Sequence, residues 1–267
     1  MNYAELIEPI VALARKAGDA ILEVYATDFD VQSKDDESPL TQADLASHRC
    51  IVAGLGAQTP ELPIISEESG LAGFEERSGW SRYWLIDPLD GTREFVNRNG
   101  EFTVNIALIV DGGPVFGVVH VPVQGKTYVG CMGHGAELRI GDQAAKEIRV
   151  ASASAKPVRV VGSRSHRGAS LDGFIDSLGD CDLVPMGSSL KFCVVAEGGA
   201  DIYPRLGPTS EWDTAAAQAV VEQAAGSVVT LDGKPMMYNQ KEAMLNPHFM
   251  VIGPTDHDWL ALLPDGE

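Results

Sequence analysis

The chain has 267 residues, of which 45% are hydrophobic and 22% are charged, so it has enough apolar material for the core of an ordinary globular protein. Its 38 acidic and 20 basic residues give a formal net charge of −18, and no run of lysine and arginine occurs. This balance argues against a general nucleic-acid-binding protein and against a protein attracted to an anionic membrane surface, because both need positive charge.

The first half of the chain predicts two helices followed by short strands. Apolar residues recur three and four positions apart from about Tyr3 to Tyr25, which indicates one long amphipathic helix. A second helix is expected to open at Thr41, with Asp44 in the capping-box position. Strands are expected at 63–66, 83–86, 103–110 and 115–121, with further strands near 126–129 and 147–150. The Asp-Gly-Gly-Pro sequence at 111–114 predicts a β-hairpin.

The second half alternates between strand and helix patterns. Strands are expected at 158–162, 182–185, 201–203 and 227–230, and helices at about 171–178, 189–197 and 214–225. This alternation predicts an α/β fold in which helix and sheet layers alternate. The small polar residues of 151–156 predict a boundary between an N-terminal lobe, residues 1–153, and a C-terminal lobe, residues 154–267.

The four cysteines form neither a CxxC pair nor a cluster with histidine at zinc-ligand spacing. They are Cys50, Cys131, Cys181 and Cys193, and they predict reduced, buried thiols in a cytosolic protein. The N-terminal segment lacks the continuous apolar stretch of a signal peptide, and no segment approaches the roughly 18 apolar residues of a membrane span. We therefore expect a soluble cytoplasmic monomer or homodimer, either free or loosely associated with the inner face of the membrane.

Acidic side chains stand at the ends of several predicted elements. Glu67 and Glu68 end the first strand, and the Asp-Pro-Leu-Asp-Gly segment at 87–91 ends the second. Asp44 lies in the first turn of the second helix, and Asp213 lies at the mouth of the last long helix. Clustered carboxylates are what a hard divalent cation needs, because Mg²⁺ prefers oxygen ligands.

The segment at 87–91 has a backbone suited to such a site. Pro88 fixes one backbone angle, and Gly91 allows a tight turn. The turn can therefore direct three groups at one region, namely the carboxylates of Asp87 and Asp90 and the carbonyl of Leu89. Two ions about 3.5–4 Å apart could share one of these carboxylates, an arrangement used for in-line phosphoryl displacement.

Each feature also has a simpler interpretation when it is taken alone. Asp44 and Asp213 are placed to cap their helices. Adjacent glutamates such as Glu67 and Glu68 are commonly a solvated strand end, and the composition of 87–91 is typical of an ordinary turn. Their joint occurrence beside buried strands favours a metal site.

Three motifs occur in the order that is typical of one enzyme family: SEE at 66–68, WLIDPLDGTREF at 84–95 and EWDTAA at 211–216. On these motifs the chain resembles the lithium-sensitive, Mg²⁺-dependent phosphatases of the inositol monophosphatase superfamily. Further segments resemble its 3′(2′),5′-bisphosphate nucleotidase (CysQ-type) branch, and they lie at 33–35, 38–44, 98–105 and, most specifically, 187–216. The resemblance covers nearly the whole chain and implies a two-lobed, sugar-phosphatase-like fold.

The resemblance implies two or three bound Mg²⁺ ions and assigns their ligands. Glu67, Asp87 and the Leu89 carbonyl would hold the first ion. Asp87, Asp90 and Asp213 would hold the second, which would screen the leaving ribose oxygen and the phosphate.

The same resemblance assigns the activation of water. Thr92 and Asp44 would orient and deprotonate the attacking water, with Glu68 in support. Such chemistry depends on positioning and on neutralising charge, so no side chain needs to become phosphorylated. The chain also carries no nucleophile motif such as GxSxG.

A candidate anion site lies at 187–191, where Gly-Ser-Ser-Leu-Lys opens a predicted helix. Exposed N–H groups at a helix N-terminus attract anions, although Ser188 and Ser189 are equally suited to cap the helix. In the family that the chain resembles, this segment lines the pocket for the nucleoside and the second phosphate. The resemblance thereby includes Gly187, Ser188, Ser189 and Lys191 in the substrate site.

Other residues complete the substrate site. Arg164 and Arg205 join Lys191 as candidates for the non-scissile phosphate, because arginine suits bidentate phosphate contacts. His166 is a candidate for stacking on, or hydrogen bonding to, the adenine. An arginine is more commonly a surface charge, and a lone histidine is more commonly structural. The remaining members of the predicted set are Gly91, Thr92 and Asp213.

We therefore expect a Mg²⁺-dependent phosphomonoesterase that converts 3′-phosphoadenosine 5′-phosphate to AMP and phosphate, with no nucleic-acid polymer as partner. Inositol monophosphatase or fructose-1,6-bisphosphatase activity on the same metal site is one alternative, and a non-catalytic metal- or nucleotide-binding module is another. An anion that approaches a protein of net charge −18 is repelled unless bound divalent cations reverse the local charge. Substrate affinity is therefore expected to collapse without Mg²⁺.

Overall fold

Two β-sheets alternate with layers of helices in the computed structural model, which describes residues 2–27, 39–163, 169–253 and 256–263. Within these residues the first sheet consists, in chain order, of β1 (Ile64–Ser66), β2 (Arg82–Asp90), β3 (Thr103–Val110), β4 (Gly113–Val121), β5 (Lys126–Cys131), β6 (Gly135–Ile140) and β7 (Lys146–Glu147). The second sheet consists of β8 (Val158–Ser163), β9 (Cys181–Met186), β10 (Ile202–Arg205), β11 (Ser227–Thr230) and β12 (Phe249–Ile252). The helices are α1 (Ile7–Tyr25), α2 (Pro39–Gln58), α3 (Phe74–Arg77), α4 (Thr92–Val96), α5 (Ala169–Leu178), α6 (Leu190–Ala196) and α7 (Ala215–Gln223).

The pairing of β1 with β2 places two acidic residues side by side. These strands run parallel, with Ser66 opposite Ile86. The pairing extends one step further, because the N–H of Glu67 donates to the carbonyl oxygen of Ile86 at 3.3 Å. Glu67 and Asp87, which come directly after Ser66 and Ile86, therefore lie side by side at the same edge of the sheet. The other neighbouring strands of this sheet pair antiparallel.

One face of the first sheet is covered by α1 and α2. The apolar stripe of α1 is fully buried at Ile10, Ala17 and Ile21, where it packs in one cluster with Trp84 and Ile106 of the sheet. Full burial of each large aliphatic side chain contributes roughly 1.5–3 kcal/mol. The predicted first helix is confirmed, except that its first turn, Tyr3–Leu6, is a 3₁₀ helix.

The opposite face is covered by α7, which approaches the sheet very closely. A Cβ atom on Gly117 of β4 would lie 2.2 Å from the carbonyl oxygen of Ala216. One on Gly130 of β5 would lie 2.4 Å from the carbonyl carbon of Ala219. Only glycine leaves room for the helix backbone at these positions. The start of α7 is thereby held against the sheet that carries Asp87.

The second sheet has the strand order β11-β12-β10-β8-β9. β8 runs parallel to β9 and β10, and β12 runs antiparallel to β10 and β11. Alternate residues of β8 face different cores, since Val161 packs with α6 and α7 whereas Val160 packs with Phe174 of α5. Two helices therefore lie between the sheets and α5 lies outside, which confirms the predicted layered α/β fold.

The predicted capping box at Thr41 is wrong. α2 begins two residues earlier, at Pro39, so Thr41 and Asp44 both lie inside the helix. Proline suits the first helical turn because the N–H that it lacks would have no partner there. Asp44 therefore does not cap this helix, and its burial needs another explanation.

The segment 87–91, predicted to be a turn, belongs largely to β2. The pairing of β2 with β3 shifts register between Asp87 and Asp90, which is an irregularity of the β-bulge kind. Bulges are among the few places where a sheet accepts a proline such as Pro88. The strand thus continues through both aspartates instead of ending at the first.

Several elements carry no prediction from the sequence, namely β6, β12, α3 and α4. Strands of four to six residues, and helices of four or five, contain too little periodicity to be recognised. The strand predicted at 147–150 is the two-residue β7 at Lys146–Glu147. The hairpin between β3 and β4 is confirmed, with Asp111 and Gly112 at φ of +49° and +82°.

Over the described ranges, no helix is both long enough and apolar enough to cross a membrane. The four cysteines are free thiols, as predicted. The prediction that all four are buried is wrong, because Cys50 and Cys181 are half-buried whereas Cys131 and Cys193 are buried.

Candidate active site

Three carboxylates from separate elements meet at one edge of the first sheet. Glu67 follows β1, Asp87 lies in β2, and Asp213 precedes α7. One oxygen of each lies within 4.8 Å of the other two. Asp87 is 1% exposed, Asp213 is half-buried and Glu67 is exposed. We call these three residues and Asp90 the acidic cluster.

The bulge in β2 is fixed by contacts on two sides. The N–H of Leu89 donates to Oδ1 of Asp87 at 3.0 Å, and the Ser47 hydroxyl on α2 donates to the Pro88 carbonyl at 2.8 Å. Gly91 follows in the left-handed region at φ +95°, which side chains with a Cβ rarely adopt. The Leu89 carbonyl, a predicted metal ligand, therefore belongs to a segment whose backbone is well defined.

Asp90 is held by the loop that precedes α6. The Ser188 hydroxyl, the Ser189 N–H and the Ser189 hydroxyl donate to its Oδ2 at 2.5, 2.7 and 2.8 Å. Thr103 Oγ1 lies 2.6 Å from Ser188 Oγ, and Asn105 Nδ2 donates to Ser189 Oγ at 2.9 Å. The capping interpretation of the two serines is wrong, because α6 has no side-chain cap and both hydroxyls contact Asp90.

Asp213 does not cap α7. Its Oδ2 accepts from the Thr209 hydroxyl at 2.7 Å and from the Ser210 N–H at 2.9 Å, both of which precede it in the chain. The N-cap of α7 is Thr214, which makes no side-chain cap bond. The carbonyl oxygen of Asp213 lies 2.5 Å from Ser189 Oγ, so the loop that holds Asp90 also contacts Asp213.

Asp44 approaches the acidic cluster from α2 and lies close to Glu68. Its side chain is 6% exposed, and its Oδ1 is buried without a hydrogen-bond partner in the described part of the chain. Burial, followed by the charges of Glu68 and Glu67, raises the pKa of Asp44 to about 9. Thr92 opens α4 with an exposed side chain, and no described hydrogen bond joins it to Asp44. The structure therefore brings two of the three predicted catalytic residues together.

Crowding of negative charge dominates the electrostatics of the acidic cluster. Although Glu67 as a whole residue is exposed, desolvation of its carboxyl group and the charge of Asp213 raise its pKa to about 7. Burial and the charge of Asp90 raise the pKa of Asp213 to about 6. Burial and the charges of Glu67 and Asp90 raise the pKa of Asp87 well above its ordinary value. All of these shifts have the direction expected of carboxylates that share a site without a cation.

This donor set fits a hard divalent cation. All its side-chain donors are carboxylate oxygens, which suit Mg²⁺ rather than a softer metal. The buried Asp44 Oδ1 is a further acceptor in need of a donor or a cation. The residues present therefore match the predicted Mg²⁺ site in type and in placement.

An open cavity of about 140 Å³ adjoins the acidic cluster. Asp90 and Asp213 line it, as do Arg93 and Glu94 of α4. Residues of α6, β10 and β12 also line it, namely Lys191, Phe192, Tyr203, Arg205 and Phe249. Cations and aromatic rings beside a carboxylate cluster form a cavity suited to a polar organic anion.

Two of the three cations that line the cavity, Lys191 and Arg205, are held by their neighbours. Lys191 donates from Nζ to the carbonyl of Ser188 at 2.7 Å, and its Nζ lies 5.7 Å from the ring centre of Tyr203. Burial lowers the pKa of Lys191, while the charge of Asp90 acts in the opposite direction. Arg205 donates to the carbonyl of Pro208 at 2.5 Å, and its buried Nε has no described partner.

Two of the predicted substrate residues, Arg164 and His166, lie outside the described residues, as does the motif segment at 33–35. Gly187 lies in the loop that holds Asp90, and its N–H donates to Glu101 at 2.8 Å. The sequence prediction missed the two polar strand residues that support the serines, Thr103 and Asn105. Polar side chains at alternate positions in an otherwise apolar buried strand were the available signal.

Comparison with known proteins places these observations in a family. A family model described as the inositol monophosphatase family matches residues 2–259. The 3′(2′),5′-bisphosphate nucleotidase CysQ of Escherichia coli (strain K12) is 49% identical over 248 residues, which cover 92% of this chain and 99% of that protein. The protein of the same name from Haemophilus influenzae is 35% identical over 258 residues, 96% of each chain. The crystal structure of CysQ from Bacteroides thetaiotaomicron is 40% identical with a TM-score of 0.84, and the match covers 93% of this chain and 97% of that one.

Proposed function

The chain belongs to the inositol monophosphatase family, and we propose that it is a Mg²⁺-dependent 3′(2′),5′-bisphosphate nucleotidase that removes the 3′-phosphate of 3′-phosphoadenosine 5′-phosphate. The resemblance predicted from the motifs is confirmed. Identity of 49% over nearly the full length of a nucleotidase supports this activity. The structural observation that carries the proposal is the acidic cluster, built from three elements and open to a cavity that contains Lys191 and Arg205.

The proposed ligands of two Mg²⁺ ions are the members of the acidic cluster together with the Leu89 carbonyl. Bound Mg²⁺ would supply Lewis-acid activation of water and would neutralise phosphate charge. The crowding that raises the pKa of Glu67 and Asp87 supports this assignment, since these groups lack a described cationic partner. A third ion, the oligomeric state and a cytoplasmic location remain predictions.

Asp44 is the proposed proton acceptor for the attacking water. Its Oδ1 has no described protein partner. Bound Mg²⁺ would offset the charges of Glu68 and Glu67 that raise the pKa of Asp44, so that this carboxylate can accept a proton from water. Thr92 is proposed to orient the same water from the start of α4. Ser188 and Ser189 act on the site through Asp90, which their hydroxyl groups hold.

Lys191 and Arg205 are proposed to bind the second, non-scissile phosphate. Both line the cavity, and little water screens the charge of Lys191, whose side chain is only 9% exposed. Arg164 and His166 stay predictions for the phosphate and the adenine. Gly91, Gly187 and Asp213 contribute the walls between the acidic cluster and this phosphate site.

We also propose the division into lobes at 1–153 and 154–267. β7 of the first sheet ends at Glu147, and β8 of the second sheet begins at Val158, which supports a boundary between them. The acidic cluster takes Glu67, Asp87 and Asp90 from the first part and Asp213 from the second.

A phosphate-release assay with Mg²⁺ tests the proposed activity. The nucleotide bisphosphate, inositol 1-phosphate and fructose 1,6-bisphosphate are compared at equal concentrations, and the highest kcat/KM is expected for the nucleotide. A higher value for either sugar phosphate would reassign the substrate within the family. Calorimetric titration of AMP with and without a chelator tests the metal separately, since equal binding in both conditions would contradict a role for Mg²⁺ in holding the nucleotide.

A further inference from the structure

Glu94 is a buried acidic residue within the motif at 84–95. The mechanism proposed above gives it no role. It lies on α4, is 8% exposed and lines the cavity beside the acidic cluster. Within the described ranges its carboxylate accepts no hydrogen bond and forms no ion pair within 4.0 Å. The carboxylate oxygens are not enclosed by the protein, and they lie in the wall of an open cavity. A donor that enters the cavity can therefore reach an acceptor that no protein group occupies.

Of the three cations that line the cavity, Arg93 forms no described ion pair with Glu94, and Lys191 and Arg205 have contacts of their own. Lys191 interacts electrostatically with Glu94, but its ammonium donates to the Ser188 carbonyl and lies near the Tyr203 ring. Arg205 donates to the Pro208 carbonyl. Glu94 is therefore not the structural counterion of either cation.

The fold reserves space for the Glu94 side chain next to Asp90. A Cβ atom on Gly187 would lie 2.6 Å from Cγ and 2.9 Å from Cδ of Glu94. A Cβ atom on Gly91 would lie 3.3 Å from its Oε2. The carboxylate thus lies between the turn that follows Asp90 and the loop that carries Ser188, at the end of the cavity where the scissile phosphate is proposed to bind.

A carboxylate at this place selects for a particular chemical group. It repels phosphate, so it faces neither the scissile nor the second phosphate. The part of the substrate nearest the scissile phosphate is the sugar that carries it, and a sugar offers hydroxyl donors. A hydrogen bond from a hydroxyl to a carboxylate is stronger than one between neutral groups.

We propose that Glu94 accepts a hydrogen bond from the sugar hydroxyl adjacent to the scissile phosphate and is a specificity-determining residue for vicinal hydroxy phosphates. This assignment rests on the proposed nucleotidase function. It divides the cavity between cations that bind the second phosphate and a carboxylate that recognises the sugar.

The test compares 3′-phosphoadenosine 5′-phosphate with its 2′-deoxy analogue on the wild-type protein and on Glu94→Ala and Glu94→Gln. The wild type should favour the hydroxyl-bearing substrate by about 10- to 100-fold in kcat/KM, the range of a hydrogen bond to a charged group. Glu94→Ala should bring this ratio close to one, and Glu94→Gln, which keeps the shape of the side chain, should reduce it. The ratio is informative even where loss of a negative charge changes the binding of both anions.

Glu101→Gln is the matched control. The Glu101 carboxylate also contacts this loop, because it accepts a hydrogen bond from the N–H of Gly187. Glu101 does not line the cavity. The control removes a similar charge beside the same loop and should keep the wild-type ratio.

The outcomes separate this proposal from the proposed function. A wild-type enzyme that hydrolyses neither nucleotide overturns both. A wild type that hydrolyses the two nucleotides equally, or Glu94 variants that keep the wild-type ratio, overturn only the role of Glu94. A ratio that falls equally in Glu101→Gln assigns the effect to the loop and also overturns it.

Discussion

Two buried aspartates, Asp87 in the acidic cluster and Asp201 before β10, have opposite electrostatic environments. The Asp201 carboxylate accepts from Arg159 Nη2 at 2.6 Å and from the N–H groups of Arg159 and Ala155 at 2.8 and 3.1 Å. Burial alone would raise the pKa of Asp201, but these hydrogen bonds outweigh it, and the pKa is lowered. The fold itself supplies everything that this carboxylate needs.

Asp87 accepts a hydrogen bond from the Leu89 N–H and otherwise faces negative charge. Burial and the charges of Glu67 and Asp90 raise its pKa, in the opposite direction to Asp201. The difference shows that burial does not decide the role of an acidic residue. A carboxylate satisfied by the protein stabilises the fold, whereas one left among like charges destabilises it until a cation arrives.

Asp87→Asn should produce the largest loss of activity among these variants, and it tests whether Asp87 serves the active site and not the stability of the fold. Turnover should fall by at least about a thousandfold, because the ligand proposed to be shared by two ions is lost. In Mg²⁺-free protein the melting temperature should rise, because one of the repelling charges is removed. Phosphate release and scanning calorimetry in chelator measure the two effects, and retained turnover with a lowered melting temperature would contradict them.

Asp201→Asn should have the opposite signature. It breaks a buried ion pair, so the free energy of unfolding should fall by about 3 kcal/mol in a urea titration. The kcat should stay at the wild-type value. Because the folded pKa of Asp201 is lowered, its stabilisation is complete at neutral pH and is lost as the pH falls through the folded pKa. A loss of turnover without a loss of stability would reverse the roles assigned to the two aspartates.

Ser189→Ala examines whether the support of Asp90 matters to the metal. The change removes one donor to Asp90 and the acceptor of Asn105, so Mg²⁺ affinity should fall by about tenfold, at the lower end for groups that orient ligands. Calorimetric titration with Mg²⁺ measures this without substrate. Ser177→Ala, an exposed serine on α5, is the control, and equal affinities in both variants would show that Ser189 is dispensable.

His120→Gln adds a third kind of buried ionisable group to the two aspartates, namely one that the fold keeps neutral. Burial lowers the pKa of His120 to about 4, and its Nδ1 lies 2.9 Å from Thr127 Oγ1. The unfolded chain therefore binds the proton more readily than the folded protein. The free energy of unfolding is highest above about pH 6.5 and decreases as the pH is lowered below this value. When the pH is lowered from 7.5 to 5.5, protonation of His120 in the unfolded chain should lower the free energy of unfolding by about 1 kcal/mol. His120→Gln should abolish this pH dependence. An unchanged pH slope in urea titrations of the variant would exclude His120 as its source.

The elements with a clear period could be predicted from the sequence. The stripe of α1 and the runs of β3 and β4 were predictable because burial on one or both faces leaves a pattern within the segment itself. The start of α2 was predicted two residues late, because Pro39 and Thr41 both suit a helix N-terminus. β12 was not predicted, since a four-residue apolar run is compatible with several structures.

The candidate site divides in the same way. Motifs identified Glu67, Asp87, Asp90 and Asp213, and the structure brings them together. The contact of Ser188 with Asp90 spans 98 positions of the chain, and nothing in the local sequence marks it. Glu94 belongs to one of the motifs, but its proposed role depends on its place in the cavity wall without a described hydrogen-bond partner, which only the three-dimensional packing shows.

The close seat of α7 on Gly117 and Gly130 also affects how the protein is made. Three of the four acidic residues are synthesised in the first half of the chain. Asp213 is synthesised much later, directly before α7, the helix that packs against Gly117 and Gly130. A half-synthesised chain therefore has an uncovered sheet face and an unfinished cation site. The proposed cation site is therefore completed only when α7 packs on the sheet, which is also the step that covers this face.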